Sequence, residues 1–462
     1  MAEPIITVSG LRGEIGVTLT PIVAARYVAA YSTCCPDDGP MVIGNDGRES
    51  AAMFVAAIRA SLHAVGRSTV DCGICATPTV GVLVRSLHAA GGIQISASHN
   101  PAKYNGIKLF SAEGRVIPAV PGAEVLAKYR AMCDGTTDEG WVTYDRLGVD
   151  LTPPDDPDAA HLDAVLKTVN VEAIRAKRYR VLLDSNHGAG GRLGRRLLES
   201  LGCDVVLRGE EPTGRFAHTP EPTAENLATV LDSVPAERAV VGFCQDPDAD
   251  RLAVIDERGR YIGEEYTVAI CADYLLKPID QGGAGRRGPI VTNCSTSRMT
   301  QRIAEVAGVP FSRSKVGEAN VVDEMSAKHA IFGGEGNGGP IDPRVGLVRD
   351  SFVGMGLILN AMAASGRTVS QLANAIPPWV IVKTKTPAPE GGITKAFDRL
   401  ERAFPEAVPD RMDGLRLDWP NGNWLLLRAS NTEPIVRAIA EAATEDDAAE
   451  LCERATKLIA GY

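Results

Sequence analysis

The chain has 462 residues, enough for roughly three or four domains with a sizeable buried core. Apolar residues make up 45% and charged residues 23%, ordinary values for a globular protein, and no apolar run approaches the length of a membrane span. The net charge of −10, with no basic tail or block, argues against non-specific binding to nucleic acid or anionic membranes, but leaves room for a small anion held by local Arg and Lys clusters.

The opening Met-Ala-Glu-Pro has no basic region ahead of an apolar stretch, so a reducing cytoplasm is the expected compartment. Ser9-Gly10-Leu11-Arg12-Gly13 sets an Arg between glycines, an arrangement suited to an anion. The ten cysteines are scattered; Cys72 and Cys75 form a lone CxxC before an expected turn at Ala76-Thr77-Pro78, and no second group sits at zinc spacing. Residues 91–95 lead into Ser96-Ala97-Ser98-His99-Asn100-Pro101, a turn able to present the Ser98 hydroxyl beside His99 and Asn100. Taken alone, most such turns are merely polar, and no GxSxG elbow frames this serine. Asn105-Gly106-Ile107-Lys108 is a turn followed by a Lys, and Thr152-Pro153-Pro154-Asp155-Asp156-Pro157 reads as a linker. A strand at 180–184, a glycine turn at 188–191, a helix through Leu198 and a strand at 239–243 then alternate as α/β architecture does.

Asp246-Pro247-Asp248-Ala249-Asp250-Arg251 follows that last strand. In an extended segment, carboxylates at alternate positions point to one side, and Pro247 disfavours a helix. Three converging carboxylates demand a cation, and an all-oxygen set suits Mg²⁺ or Ca²⁺ rather than zinc. A calcium-storage loop is the rival, but Arg251 stands where its sharp turn needs Gly, and the strand-like Leu252-Ala253-Val254-Ile255 follows at once. A plain solvated acidic turn is the other alternative.

Residues 280–289 read as a long loop. Gly333-Gly334-Glu335-Gly336-Asn337-Gly338-Gly339-Pro340 allows close backbone approach, with Glu335 and Asn337 able to bond sugar hydroxyls. Pro377-Pro378 marks entry to a last domain, where Arg428-Ala429-Ser430-Asn431-Thr432-Glu433-Pro434 and Arg437 offer guanidinium forks and hydroxyls to phosphate. The final helix is capped by Thr444 and buries Leu451, Ala455, Leu458 and Ile459.

Taken together, these segments resemble the α-D-phosphohexomutase family: 96–101 its phosphoserine loop, 246–251 its metal loop, 334–339 its sugar loop and 428–434 its phosphate loop, in the family's order. Gly44-Asn45-Asp46-Gly47-Arg48 is a softer match. The resemblance implies three related α/β domains with mixed sheets (1–151, 158–257, 258–375) and a smaller α+β domain (380–462) around a central cleft. It implies a phosphoryl group on Ser98, one Mg²⁺ per chain held by Ser98, Asp246, Asp248 and Asp250, and a hexose 1,6-bisphosphate intermediate. Lys108 and Arg12 are the implied acid/base pair, with His99 orienting the phosphoserine. Arg251, Lys315, Glu335 and Asn337 are expected on the sugar, and Arg428, Ser430, Asn431, Thr432 and Arg437 on the distal phosphate. The partner is a small phosphosugar, with no nucleic acid or membrane, and the chain is expected as a monomer or homodimer. Ser9, Asn337-Gly338-Gly339 (usually Ser-Gly-His) and Asn431 depart from the common pattern. Glucosamine phosphate is the favoured sugar and mannose or glucose phosphate the runner-up. An Asp-nucleophile phosphatase and a non-catalytic sensor are the readings from other classes. The whole scheme requires the Ser98 hydroxyl within about 10 Å of the acidic trio.

Overall fold

The computed structural model describes residues 3–7, 10–36, 38–389, 392–429 and 435–460. It holds four sheets. In the first, strands run in the order Ile5–Thr7, Gly10–Glu14, Tyr104–Ser111, Gly91–Ile95, Met41–Asn45, Thr69–Ile74. Met41–Asn45 pairs in parallel with both its neighbours, and all five of its residues are buried, as expected where helices cover both faces. Tyr104–Ser111 runs antiparallel between Gly91–Ile95 and Gly10–Glu14, so the sheet is mixed. This register carries Lys108 and Arg12 to the same end of the sheet as residues 96–101.

The second sheet orders Leu252–Asp256, Val241–Gln245, Arg180–Asp184 and Asp204–Arg208; the third orders Phe311–Ser314, Ile290–Asn293, Phe332–Glu335 and Gly339–Ile341. Both are mixed. Val241–Gln245 starts two residues later than the sequence suggests because Arg238, with φ of 55°, turns the chain just before it. Thr77-Pro78 is no turn either: Pro near the start of a helix loses no needed hydrogen bond, and the helix Thr77–Ser86 begins there.

The helix Ser351–Ser365 is apolar on every side, and it is buried accordingly. It shares one core with the second and third sheets, and Val165 of the helix Ala159–Leu166 packs into the same cluster. Asp350 caps it, accepting from Phe352 N at 2.9 Å and Val353 N at 3.2 Å. The other oxygen of Asp350 bonds His161 Nε2 at 2.8 Å, and His161 Nδ1 bonds Thr79 Oγ1 at 2.9 Å. This buried line joins the first three units.

The last sheet is wholly antiparallel: Val380–Pro387, Ile435–Ala442, Trp424–Ala429, Leu415–Asp418, Val408–Asp410. The helices Ile393–Ala403 and Glu445–Ala460 cover one face of it, with Ala455 and Ile459 buried there. Its other face docks on the third unit through Trp424, Leu426 and Ile439 around Cys294. Glu441, fully buried, accepts from Ser297 Oγ, from Arg298 N at 2.9 Å and from Trp424 Nε1 at 2.5 Å. No helix among the described residues is long and apolar enough to cross a membrane.

Candidate active site

Gly91–Ile95 delivers the chain into 96–101 at the sheet's end, where Ser98 takes a left-handed backbone with φ of 50°. Such a conformation is unfavourable for a residue with a Cβ, so the surroundings must impose it. They do. Ser96 Oγ accepts from Ser98 N at 2.8 Å and donates to Asp46 Oδ2 at 2.7 Å. Buried Arg48 spends all its donors on the same region. They reach Asp46 Oδ2 at 2.9 Å, the carbonyls of Ser98 and Asn100 at 2.6 and 2.7 Å, and those of Pro101 and Tyr104 at 2.8 and 3.0 Å. The Ser98 hydroxyl, thus aimed, donates to Asp246 Oδ2 at 2.7 Å and lies 3.3 Å from His99 Nδ1. It is far inside the 10 Å limit.

The acidic trio converges by a different route from the extended segment inferred above. It occupies a tight turn between the antiparallel strands Val241–Gln245 and Leu252–Asp256, closed by Ala249 N to Asp246 O at 2.9 Å, with Ala249 left-handed at φ of 56°. Three helix N-termini brace the turn. Thr77 N donates to Asp248 O at 2.9 Å and Ala189 N to Pro247 O at 2.7 Å, while Ser351 Oγ donates to Ala249 O at 2.7 Å.

One oxygen each of Asp246, Asp248 and Asp250 lies within 4.8 Å of the others. The outer oxygens are held: Asp248 Oδ2 by Thr77 Oγ1 at 2.5 Å and Lys108 Nζ at 2.7 Å, Asp250 Oδ2 by Lys108 Nζ at 2.7 Å and Arg349 Nη2 at 2.6 Å. Asp248 Oδ1 and Asp250 Oδ1 are buried with no hydrogen-bond partner. Two orphaned carboxylate oxygens beside a third carboxylate fit a hard divalent cation.

The charges agree. Burial, with repulsion from Asp248 and Asp250, pushes Asp246 well above the usual carboxylate range. Burial also opposes ionisation of Asp248 and Asp250, but Lys108 outweighs it at Asp248, and Arg349 with Lys108 at Asp250, so both fall below the usual range. The trio therefore resists a third charge without a cation. Burial, together with Arg251 and Arg12, lowers the His99 pKa to about 2, so its ring is neutral. Burial works against charge on Lys108 too, but Asp248 and Asp250 outweigh it and raise its pKa. Arg12, lowered chiefly by burial, donates to Asn100 Oδ1 at 3.2 Å.

Glu335 ends the strand Phe332–Glu335, buried, with Oε1 accepting from Asn293 Nδ2 at 2.7 Å and Gly317 N at 3.1 Å, and Oε2 from Arg349 Nη1 at 2.7 Å. Asn337 Nδ2 lies 3.5 Å from Glu335 Oε2, and its Oδ1 is buried without a partner. A Cβ at Gly336 would lie 1.9 Å from Glu265 Oε2, so a side chain there would have to displace that carboxylate. Arg251 Nε sits 3.8 Å from Asp250 Oδ1, and Lys315 is exposed at the end of Phe311–Ser314.

Ser430, Asn431 and Thr432 lie outside the described residues. Arg428 and Arg437 are directly paired on adjacent strands, and Arg437 is paired on its other side with Lys385. Paired positions share a face, so three cations stand in a row where like charges would repel without an anion. That face is the one that docks on the third unit, basic at the end where Trp424 and Glu441 give way to Arg428 and Arg437. Asp413 links the two: its Oδ2 lies 2.9 Å from Arg428 Nε and accepts from Val316 N at 2.8 Å.

Sequence reading missed Thr77, Asn293, Arg349, Lys385 and Asp413. No motif marks them; only Lys385, in the alternation Lys383-Thr384-Lys385 of a strand, carries a periodic signal.

Family models described as phosphoglucomutase/phosphomannomutase α/β/α domains I, II and III and C-terminal domain match residues 5–132, 159–259, 264–379 and 382–458. A curated relative named phosphoglucomutase/phosphomannomutase, from Thermococcus kodakarensis, is 34% identical over 97% of both chains. One from Thermococcus gammatolerans, named a probable phosphoglucosamine mutase, is 31% identical over 98% of this chain and 97% of its own. A crystal structure of a phosphoglucomutase/phosphomannomutase family protein from Burkholderia thailandensis superposes with a TM-score of 0.82, at 26% identity over 98% of each chain.

Proposed function

This chain belongs to the phosphoglucomutase/phosphomannomutase family and is a phosphohexomutase, and we propose that it interconverts glucosamine 6-phosphate and glucosamine 1-phosphate through phosphorylated Ser98. The observation that carries the mechanism is the 2.7 Å contact between Ser98 Oγ and Asp246 Oδ2, with two unpartnered carboxylate oxygens beside it. Asp246, Asp248, Asp250 and Ser98 would hold one Mg²⁺. Bound there, the cation offsets the negative charge of the transferring phosphoryl group.

The chain's own groups do the rest. The bond from Ser98 Oγ to phosphorus breaks as a sugar hydroxyl oxygen bonds to phosphorus and loses its proton. Lys108 and Arg12 are assigned to relay that proton to the departing Ser98 oxygen, which regains its hydroxyl, with the neutral His99 ring fixing that oxygen. The resulting 1,6-bisphosphate turns over in the cleft and returns its other phosphoryl to Ser98. Glu335 and Asn337 contact ring hydroxyls, Arg251 and Lys315 steer the substrate, and the row of Arg428 and Arg437, with Ser430, Asn431 and Thr432, grips whichever phosphate is distal.

Glucosamine is favoured by the name of the T. gammatolerans relative; the T. kodakarensis relative supports mannose or glucose phosphate as the second reading. Comparing kcat/KM for glucosamine, mannose and glucose 1-phosphates with Mg²⁺ and a 1,6-bisphosphate activator tests the choice. A preference for mannose or glucose phosphate overturns it, and turnover by Ser98→Ala at the parent's rate overturns the phosphoserine.

A further inference from the structure

Arg349 is absent from every motif that marks the site, yet it touches two of them. It follows the third sheet, just before the cap of the buried helix Ser351–Ser365, and it is 6% exposed. Nη2 donates to Asp250 Oδ2 at 2.6 Å and Nη1 to Glu335 Oε2 at 2.7 Å. Glu318, the first residue of the helix Glu318–Lys328, accepts from Arg349 N at 2.8 Å and places Oε2 3.5 Å from Nε. One planar guanidinium thus spans a carboxylate of the metal turn and a carboxylate of the sugar loop, a fork that a Lys ammonium cannot reproduce.

The sugar loop is shaped around it. A Cβ on Gly339 would lie 2.3 Å from Arg349 Cδ, 2.7 Å from Cγ and 3.0 Å from Cβ, too close along the whole methylene stem to be absorbed by its tip alone. Gly339 has no left-handed backbone to account for its lack of a side chain; its reason is steric. The space a side chain at 339 would fill belongs to Arg349.

We propose that Arg349 is a positioning residue that couples metal binding to sugar binding, because its guanidinium fixes the outer oxygen of Asp250 and Oε2 of Glu335 at once. Held from behind by Arg349 and Lys108, Asp250 keeps only Oδ1 free and would offer that oxygen to a cation; held by Arg349 on one oxygen and by Asn293 and Gly317 on the other, Glu335 keeps one orientation and would present it to a sugar. Loosening Arg349 loosens both. This rests on the roles given above to Asp250 and Glu335.

The test measures three quantities on folded enzyme: half-saturation of Mg²⁺ binding by titration calorimetry without substrate, sugar-phosphate KM and kcat, for Arg349→Met, Arg349→Lys and Gly339→Ala. Loss of such a supporting contact typically costs about 10- to 100-fold. Arg349→Met is expected to raise Mg²⁺ half-saturation and KM together by that range. Arg349→Lys should recover part of one and not both. Gly339→Ala, which removes no charge and serves if Arg349→Met fails to fold, should shift both in the same sense. A merely structural residue would lower the unfolding midpoint and leave both constants of the folded fraction alone, and that result overturns the proposal. Asp250→Asn and Glu335→Gln run beside them as controls. If Asp250→Asn alters Mg²⁺ dependence and Glu335→Gln alters KM while the Arg349 and Gly339 variants change neither, the coupling alone is wrong. If the two controls are themselves silent, the site assignments fall and the proposal with them.

Discussion

Arg48→Lys is the substitution that asks most of the phosphoserine loop. It keeps the charge but reduces the side-chain donors from five to three. The parent guanidinium makes bonds of 2.6 to 3.0 Å to Asp46 and to the carbonyls of Ser98, Asn100, Pro101 and Tyr104. Hydrogen bonds to a charged group contribute about 1.5–3 kcal/mol each, so losing two removes about 3–6 kcal/mol from the loop. The left-handed backbone at Ser98 costs only about 1–2 kcal/mol, but it is that restraint which Arg48 supplies. The lost support exceeds the strain it held in check, and Ser98 relaxes away from Asp246. A displacement of about 1 Å costs on the order of 100-fold in rate. Steady-state kcat should therefore fall by that order, and Mg²⁺ half-saturation should rise, since the displaced Ser98 is one of the four groups proposed to hold the cation. Intact mass after incubation with a 1,6-bisphosphate should show slower phosphate loading. A folded Arg48→Lys enzyme with kcat within about threefold of the parent would refute the reasoning.

Three other outcomes are expected. Ser98→Ala should carry no phosphate by intact mass and show no mutase turnover in a coupled assay. Arg437→Ala should raise KM by about 10- to 100-fold with a smaller change in kcat, since it removes one charge-assisted phosphate contact; an unchanged KM would detach the basic row from the substrate. Burial pushes Glu265 up to about 7, against the stabilising charge of Lys383, from an ordinary 4.5. The folded chain then holds a proton in that window that the unfolded chain releases, so this contribution is complete below about 4.5 and lost as pH rises through 7. Glu265→Gln should flatten the melting profile between those limits and stabilise the protein at pH 8, by at most about 3 kcal/mol; an unaltered slope would count against the shift.

The sequence announced the fold where local chemistry is strong. Alternating apolar strands and glycine turns gave the α/β units, and Thr444 does cap the last helix, accepting from Asp447 N at 3.2 Å. Ser98 and the three aspartates were legible because a motif concentrates them. The route by which the trio converges was not: carboxylates at alternate positions suggested extended backbone, whereas Ala249 turns left-handed under hydrogen bonds from Thr77, Ala189 and Ser351, which lie far away in sequence. Arg349 was invisible for the same reason. An Arg in Leu347-Val348-Arg349-Asp350 looks like any surface cation until Asp250, Glu318 and Glu335 close around it.

The last unit is attached unlike the other three. Thr79, His161 and Asp350 knit the first three together through their interior, and the acidic turn is braced by helices from all three. Among the described residues, the hydrogen bonds that leave the last unit all run to the third unit, at Cys294, Ser297, Arg298, Arg313 and Val316. The bisphosphate of the proposed reaction would need slack to turn end for end. Straining that single seam would supply it, carrying Arg428 and Arg437 with the last sheet while Ser98 and the three aspartates stayed in place.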